Sequence, residues 1–109
     1  MMFTMTKYLA LVIDDDAPLA DALGRMVSSM PGYTGIVAHG GSQALEILSK
    51  HKTPRGNQIK CLLTDIRMPD MDGFQLLEIV HKQYGNTIPA IVISAYHDPE
   101  NWKHAIDLQ

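Results

Sequence analysis

Cysteine is nearly missing from this chain: Cys61 is the single one in 109 residues. No internal disulfide can form, so stability must come from a packed core, and a reducing compartment fits. Cations are also few. Nine Lys and Arg against twelve Asp and Glu leave a formal net charge of −3, and the basic residues are scattered, so the footprint of a nucleic-acid binder is lacking. No apolar run is long enough for a membrane span. The first, in "MMFTMTKYLALVID", extends for about six residues, too short even for the core of a secretory signal. Direct contacts with membrane or nucleic acid are therefore not expected, and the location is read as cytoplasmic. Internal repeats, linkers and low-complexity tracts are absent, and 109 residues are too few for two ordinary domains.

What is present alternates. Tyr8 to Ile13 is a short continuous apolar run ending in acids, the pattern of a strand buried on both faces. Asp16 is placed to cap a helix with Pro18 in its first turn, and Leu19, Leu23, Met26, Val27 and Met30 form its expected inward stripe before Pro31-Gly32 ends it. Thr34 to Ala38 reads as a second strand, Ser42 as the cap of a helix through "QALEILSK", and Thr53 to Gln58 as a polar connecting loop. Lys60 to Thr64 is a third strand, Phe74 to Tyr84 a helix, Ile88 to Ser94 a fourth strand, and Asp98-Pro99 opens a last helix through Ile106. Strands alternating with helices at this spacing predict right-handed βαβ units, hence an open, doubly wound parallel sheet of the α/β class. Cys61 and the methionines are read as core filler.

In such sheets ligands bind beyond the carboxyl ends of the strands. Here the first strand ends in Asp14-Asp15-Asp16, the third in Asp65 and the fourth in Ser94-Ala95. Asp16 is assigned to capping. If the strands are neighbours, the remaining carboxylates crowd one crevice, which is costly unless a hard cation relieves the repulsion. Mg2+ suits best, since it needs only one or two carboxylates and keeps waters that phosphate oxygens can replace. With one carboxylate on the metal, Asp65 is available as a nucleophile toward phosphorus, and Ser94 as a donor to the transferred group. "HGGS", residues 39–42, has the composition of a phosphate cradle, but a turn leading into a capped helix explains it and is the preferred reading. His39, His51, His81, His97 and His104 have no paired metal spacing.

The blocks "LALVIDDDAPLADAL", "CLLTDIRMPDMDGFQLL" and "PAIVISAYHD" resemble the response-regulator receiver domain of two-component signalling over nearly the whole chain. The run D-x-x-M-P-x-M-D-G from Asp65 to Gly73 is the most specific part of that resemblance. It implies a flavodoxin-like fold over residues 7–109, with strands in the order 2-1-3-4 and a fifth expected beside the fourth. It implies Asp65 as phosphoacceptor, Asp15 as direct metal ligand, Asp14 as a ligand through water, and the Arg67 backbone carbonyl as a further ligand. Ser94 would be the switch hydroxyl, with Ala95 leaving it room. A sensor histidine kinase or phosphotransfer protein would donate the phosphoryl group, and a downstream protein or fused output domain would read the change. Such a chain is a switch rather than a turnover enzyme.

One departure stands out. The lysine and proline that end the family's fifth strand have no counterpart, since only fifteen residues follow Ser94 (109 − 94), and Lys103 falls in an expected helix. The receiver is thus expected to be incomplete at its carboxyl end, with the fourth strand as an apolar edge; a tail lacking from this sequence is the preferred account, and pairing with a second copy the alternative. Two rival functions remain open at this point: a pseudo-receiver that only binds protein, and a Mg2+-dependent phosphatase with an aspartyl-phosphate intermediate.

Overall fold

A computed structural model describes residues 8–93 of the chain. Its centre is a four-stranded parallel sheet built from β1 (Tyr8–Ile13), β2 (Tyr33–Ala38), β3 (Ile59–Asp65) and β4 (Ala90–Ile93), in the order β2-β1-β3-β4. The expected order is the observed one. Three helices connect the strands: α1 (Ala17–Ser29), α2 (Gly41–Lys50) and α3 (Gly73–Tyr84). The expected last helix and the question of a fifth strand fall outside the described residues.

Strand periodicity divides the core in two. On β1, Leu11 and Ile13 join Leu48 of α2, Leu62 of β3, and Leu76 and Val80 of α3. Ala10 and Val12 point the other way, toward Val27 and Leu23 of α1, with Cys61 and Leu63 alongside. Successive side chains of a strand face opposite sides, so a continuous apolar run is what a sheet covered on both faces requires. Cys61 lies half-buried in the second cluster, and burial pushes its thiol above the ordinary value, in keeping with an inert apolar role.

The packing face of α1 differs from the expected stripe. Val27 is buried and Leu23 half-buried, but Leu19, Met26 and Met30 are exposed, and the buried face runs instead through Ala20, Gly24 and Val27. The reason is close approach to β2. A Cβ on Gly24 would stand 2.5 Å from Cγ2 of Val37, and one on Gly35 would stand 2.5 Å from the carbonyl oxygen of Gly24. Small residues therefore own the interface, and the larger side chains turn outward. Methionine as core filler is likewise only partly right, since Met68 is buried and Met71 half-buried while Met26 and Met30 are not.

Two local expectations are corrected. Helix α2 begins one residue before Ser42, with Gly40 as its N-cap and no side-chain cap of its own, because a carboxylate from elsewhere takes its first amides. Residues 53–58 do more than connect. Lys52–Thr53 and Gly56–Asn57 pair as a two-rung antiparallel hairpin, and Asn57 is buried beneath it. Its Nδ2 donates to the Leu48 carbonyl at 2.7 Å, and its Oδ1 accepts from the Ile59 amide at 2.9 Å. One side chain thereby satisfies a carbonyl in the last turn of α2 and the first amide of β3.

Candidate functional site

The parallel register fixes where the acids meet. After a register shift between Leu9 and Ala10, β1 and β3 run in step from the pair Ala10 and Cys61 to the pair Ile13 and Thr64, so the residues that follow, Asp14 and Asp65, emerge side by side at the carboxyl edge of the sheet. Hydrogen bonds secure both. The Asp14 amide donates to the Ala38 carbonyl at 3.0 Å, and its Oδ1 accepts from the Asp16 amide at 3.0 Å. Asp65 Oδ1 accepts from the Ile66 amide at 2.9 Å, and Thr64 Oγ1 donates to the Asp65 carbonyl at 3.0 Å.

Asp14, Asp15 and Asp65 each offer a carboxylate oxygen to one point, these atoms lying within 4.8 Å of one another. Asp14 is buried, Asp65 half-buried and Asp15 exposed. Burial, opposed by the Asp16 amide and reinforced by the neighbouring acids, raises the pKa of Asp14 above its ordinary value. Asp65 is raised by burial first and then by the charge of Asp14. Two perturbed carboxyls of like charge side by side are a poor resting arrangement and a good cation trap. The donor set is all oxygen, which selects hard ions such as Mg2+ or Ca2+ over zinc or copper.

Asp16 caps α1, its side chain accepting from the Leu19 amide at 3.1 Å, as the spacing predicts. Arg67 sits exposed in the loop of residues 66–72, directly after the cluster. Ser94 and Ala95 lie outside the described residues. His39 and His81 are exposed, and His39 stands 3.5 Å from the Asp21 carboxylate; His51 is half-buried with Nδ1 2.8 Å from the Ile47 carbonyl. His97 and His104 are outside the described residues.

The loop after Asp65 is tightly constrained. The Gly73 amide donates to the Ile66 carbonyl at 2.7 Å, and Asp72 forms a reciprocal capping box with Gln75 at the start of α3. A Cβ on Gly73 would collide with the Asp65 carbonyl oxygen, so only glycine lets the helix start this close to the acid. Asp70 escaped the sequence reading. Its carboxylate accepts from the amides of Gly41 at 3.2 Å and Ser42 at 2.7 Å. The Gly41 and Ser42 amides of the "HGGS" turn are thus taken by Asp70 and the His39 amide by Gln43 Oε1, which argues against the phosphate-cradle reading. No local pattern signals a cap that comes from another segment.

Comparison with known proteins agrees with this geometry. The family model described as the response regulator receiver domain matches residues 10–109. The DNA-binding transcriptional regulator NtrC of Proteus hauseri is 36% identical over 94 residues, which are 86% of this chain and 18% of that protein. The sensor histidine kinase RcsC of Escherichia coli is 36% identical over 92 residues, 80% of this chain and 8% of that protein. The chain thus spans less than a fifth of either relative. Among solved structures, a response regulator receiver protein from Pseudomonas putida superposes with a TM-score of 0.79 at 25% identity, covering 96% of this chain and 82% of that one. Among the described residues, no helix is long and apolar enough to cross a membrane.

Proposed function

The chain belongs to the response regulator receiver domain family of two-component signalling, and from that premise we propose that residues 7–109 act as a phosphoacceptor switch centred on Asp65. The observation that carries this reading is the convergence of Asp14, Asp15 and Asp65 within 4.8 Å at the carboxyl edge of the sheet. Asp15 and Asp65 would hold Mg2+ directly, Asp14 through water, and Arg67 through its backbone carbonyl. The bound ion supplies positive charge against the crowded carboxylates and the phosphoryl oxygens.

The chain's own groups do the rest. The Ile66 amide, 2.9 Å from Oδ1, orients the Asp65 carboxylate and leaves the second oxygen to attack phosphorus. An O–P bond forms as the P–N bond to the donor histidine breaks, and the departing imidazole nitrogen keeps the electron pair and takes a proton from water. Ser94 would then donate to the transferred group and bias a two-state surface. A sensor histidine kinase or phosphotransfer protein is the proposed donor, and a downstream protein or fused output domain the reader, in a cytoplasmic setting.

Intact-mass spectrometry tests the reading directly. With Mg2+ and acetyl phosphate, the wild type should gain one acid-stable, base-labile phosphoryl group. Asp65→Asn should gain none. A wild type that stays unmodified under these conditions, or an Asp65→Asn variant modified as fast as wild type, overturns it.

A further inference from the structure

We propose that Asp70 is a positioning residue for the phosphoacceptor loop, acting by clamping the tip of that loop to the first turn of α2. The inference rests on the phosphoacceptor reading of Asp65, and its test is arranged to fail separately from that reading.

The clamp consists of named atoms. Asp70 Oδ2 accepts from the Ser42 amide at 2.7 Å, and Oδ1 accepts from the Gly41 amide at 3.2 Å and from the Met71 amide at 3.0 Å. Together these donors, Ser42 foremost, hold its carboxyl down to about 2, so it is ionised wherever the protein is folded and handled. Helix α2 has no side-chain cap of its own, which makes Asp70 the group that satisfies its leading amides.

The seat is shaped for this contact. A Cβ on Gly40 would stand 3.1 Å from Asp70 Oδ1, and one on Gly41 would collide with the Met71 side chain. Two consecutive glycines therefore let the loop lie flat on the helix start. At the other end, the bond from the Gly73 amide to the Ile66 carbonyl closes the base of the loop. Residues 66–72 are thus pinned twice, at the base beside Asp65 and at the tip on α2. Arg67, whose backbone carbonyl is the proposed metal ligand, lies between the two pins. Between these hydrogen-bonded pins Met68 is buried in the core, and the Asp70 clamp sets how the segment beyond it lies against α2. Groups that orient ligands from behind commonly change metal affinity by tenfold or more when removed.

The experiment compares wild type, Asp70→Ala and Asp70→Asn. In metal-free protein, hydrogen exchange at the amides of residues 66–72 should quicken in Asp70→Ala, and the Ser42 amide resonance should move upfield. In Mg2+ titrations followed at the Ile66 amide, affinity should fall on the order of tenfold. Asp70→Asn keeps a carbonyl oxygen for the Ser42 amide and should recover most of both effects. If Asp70→Ala leaves loop exchange and Mg2+ affinity as in wild type, or if Asp70→Asn is as impaired as Asp70→Ala, the positioning role is overturned while the phosphoacceptor reading stands. If wild type neither binds Mg2+ nor accepts a phosphoryl group, both are overturned, whatever the loop does.

Discussion

Gly24 of α1 and Gly35 of β2 touch backbone to backbone: a Cβ on Gly35 would come within 2.5 Å of the Gly24 carbonyl oxygen and 3.1 Å of its Cα. The obstacle is main chain, which cannot swing aside, so Gly35→Ala must lift α1 from the sheet. Overpacking of this kind typically costs about 1–3 kcal/mol. Urea denaturation should show a lower midpoint with an unchanged slope, and an unaltered midpoint would contradict the close approach.

The acid cluster should make the metal-free protein less stable at neutral pH than in mild acid. Asp14 and Asp65 both have folded pKa values above the ordinary 3.8, so between those values the folded state binds more protons than the unfolded one. Stability from this source falls as pH rises above 3.8 and stays low beyond the raised values. Asp14→Asn keeps an oxygen for the Asp16 amide and removes the charge. It should raise the Tm at pH 7 without metal, and the gain should vanish near pH 3.8. Millimolar Mg2+ should raise the Tm of wild type more than that of Asp14→Asn.

Asp70 has the opposite sign. Its carboxyl is held at about 2, below the ordinary 3.8, so its contribution is fully present above 3.8 and is lost as pH falls toward 2. The Tm difference between wild type and Asp70→Ala should therefore be constant near neutrality and close to zero at the acid limit. A difference that instead grows on acidification would contradict the hydrogen bonds assigned to that carboxylate.

Asn57→Ala would leave the Ile59 amide without its partner in a buried setting and the Leu48 carbonyl with the His51 amide alone. An orphaned buried group costs about 1–3 kcal/mol. Chemical denaturation should reveal a loss of that order, while phosphoryl acceptance by the folded fraction should be unchanged. Coupled loss of both would mean that the hairpin communicates with the acid pocket.

Much of the site was legible because it depends on strands alone. An apolar run that ends in an acid specifies a buried strand and a carboxylate at its tip. Parallel pairing then brings Asp14 beside Asp65 with little room for variation. β1 matched its expected bounds, and Asp16 and Asp72 lie at helix starts that their own segments signal. Apart from the local hairpin of residues 52–57, the misses are contacts between distant segments. Asp70 lies 28 positions from the amide it caps, and Asn57 works only because the end of α2 passes above it. The face of α1 was misjudged because hydrophobicity favours Leu19 and Met26, whereas interlayer distance favours Ala20 and Gly24. Patterns within one segment report which residues avoid water; they do not report how closely two layers approach.

Because Asp14 and Asp65 extend from paired strands, their separation follows from the spacing of adjacent backbones, about 4.8 Å in any sheet. It owes nothing to the outward side chains of the helices. Variation in the exterior of α1, α2 and α3 can therefore proceed while the placement of the two acids is inherited intact.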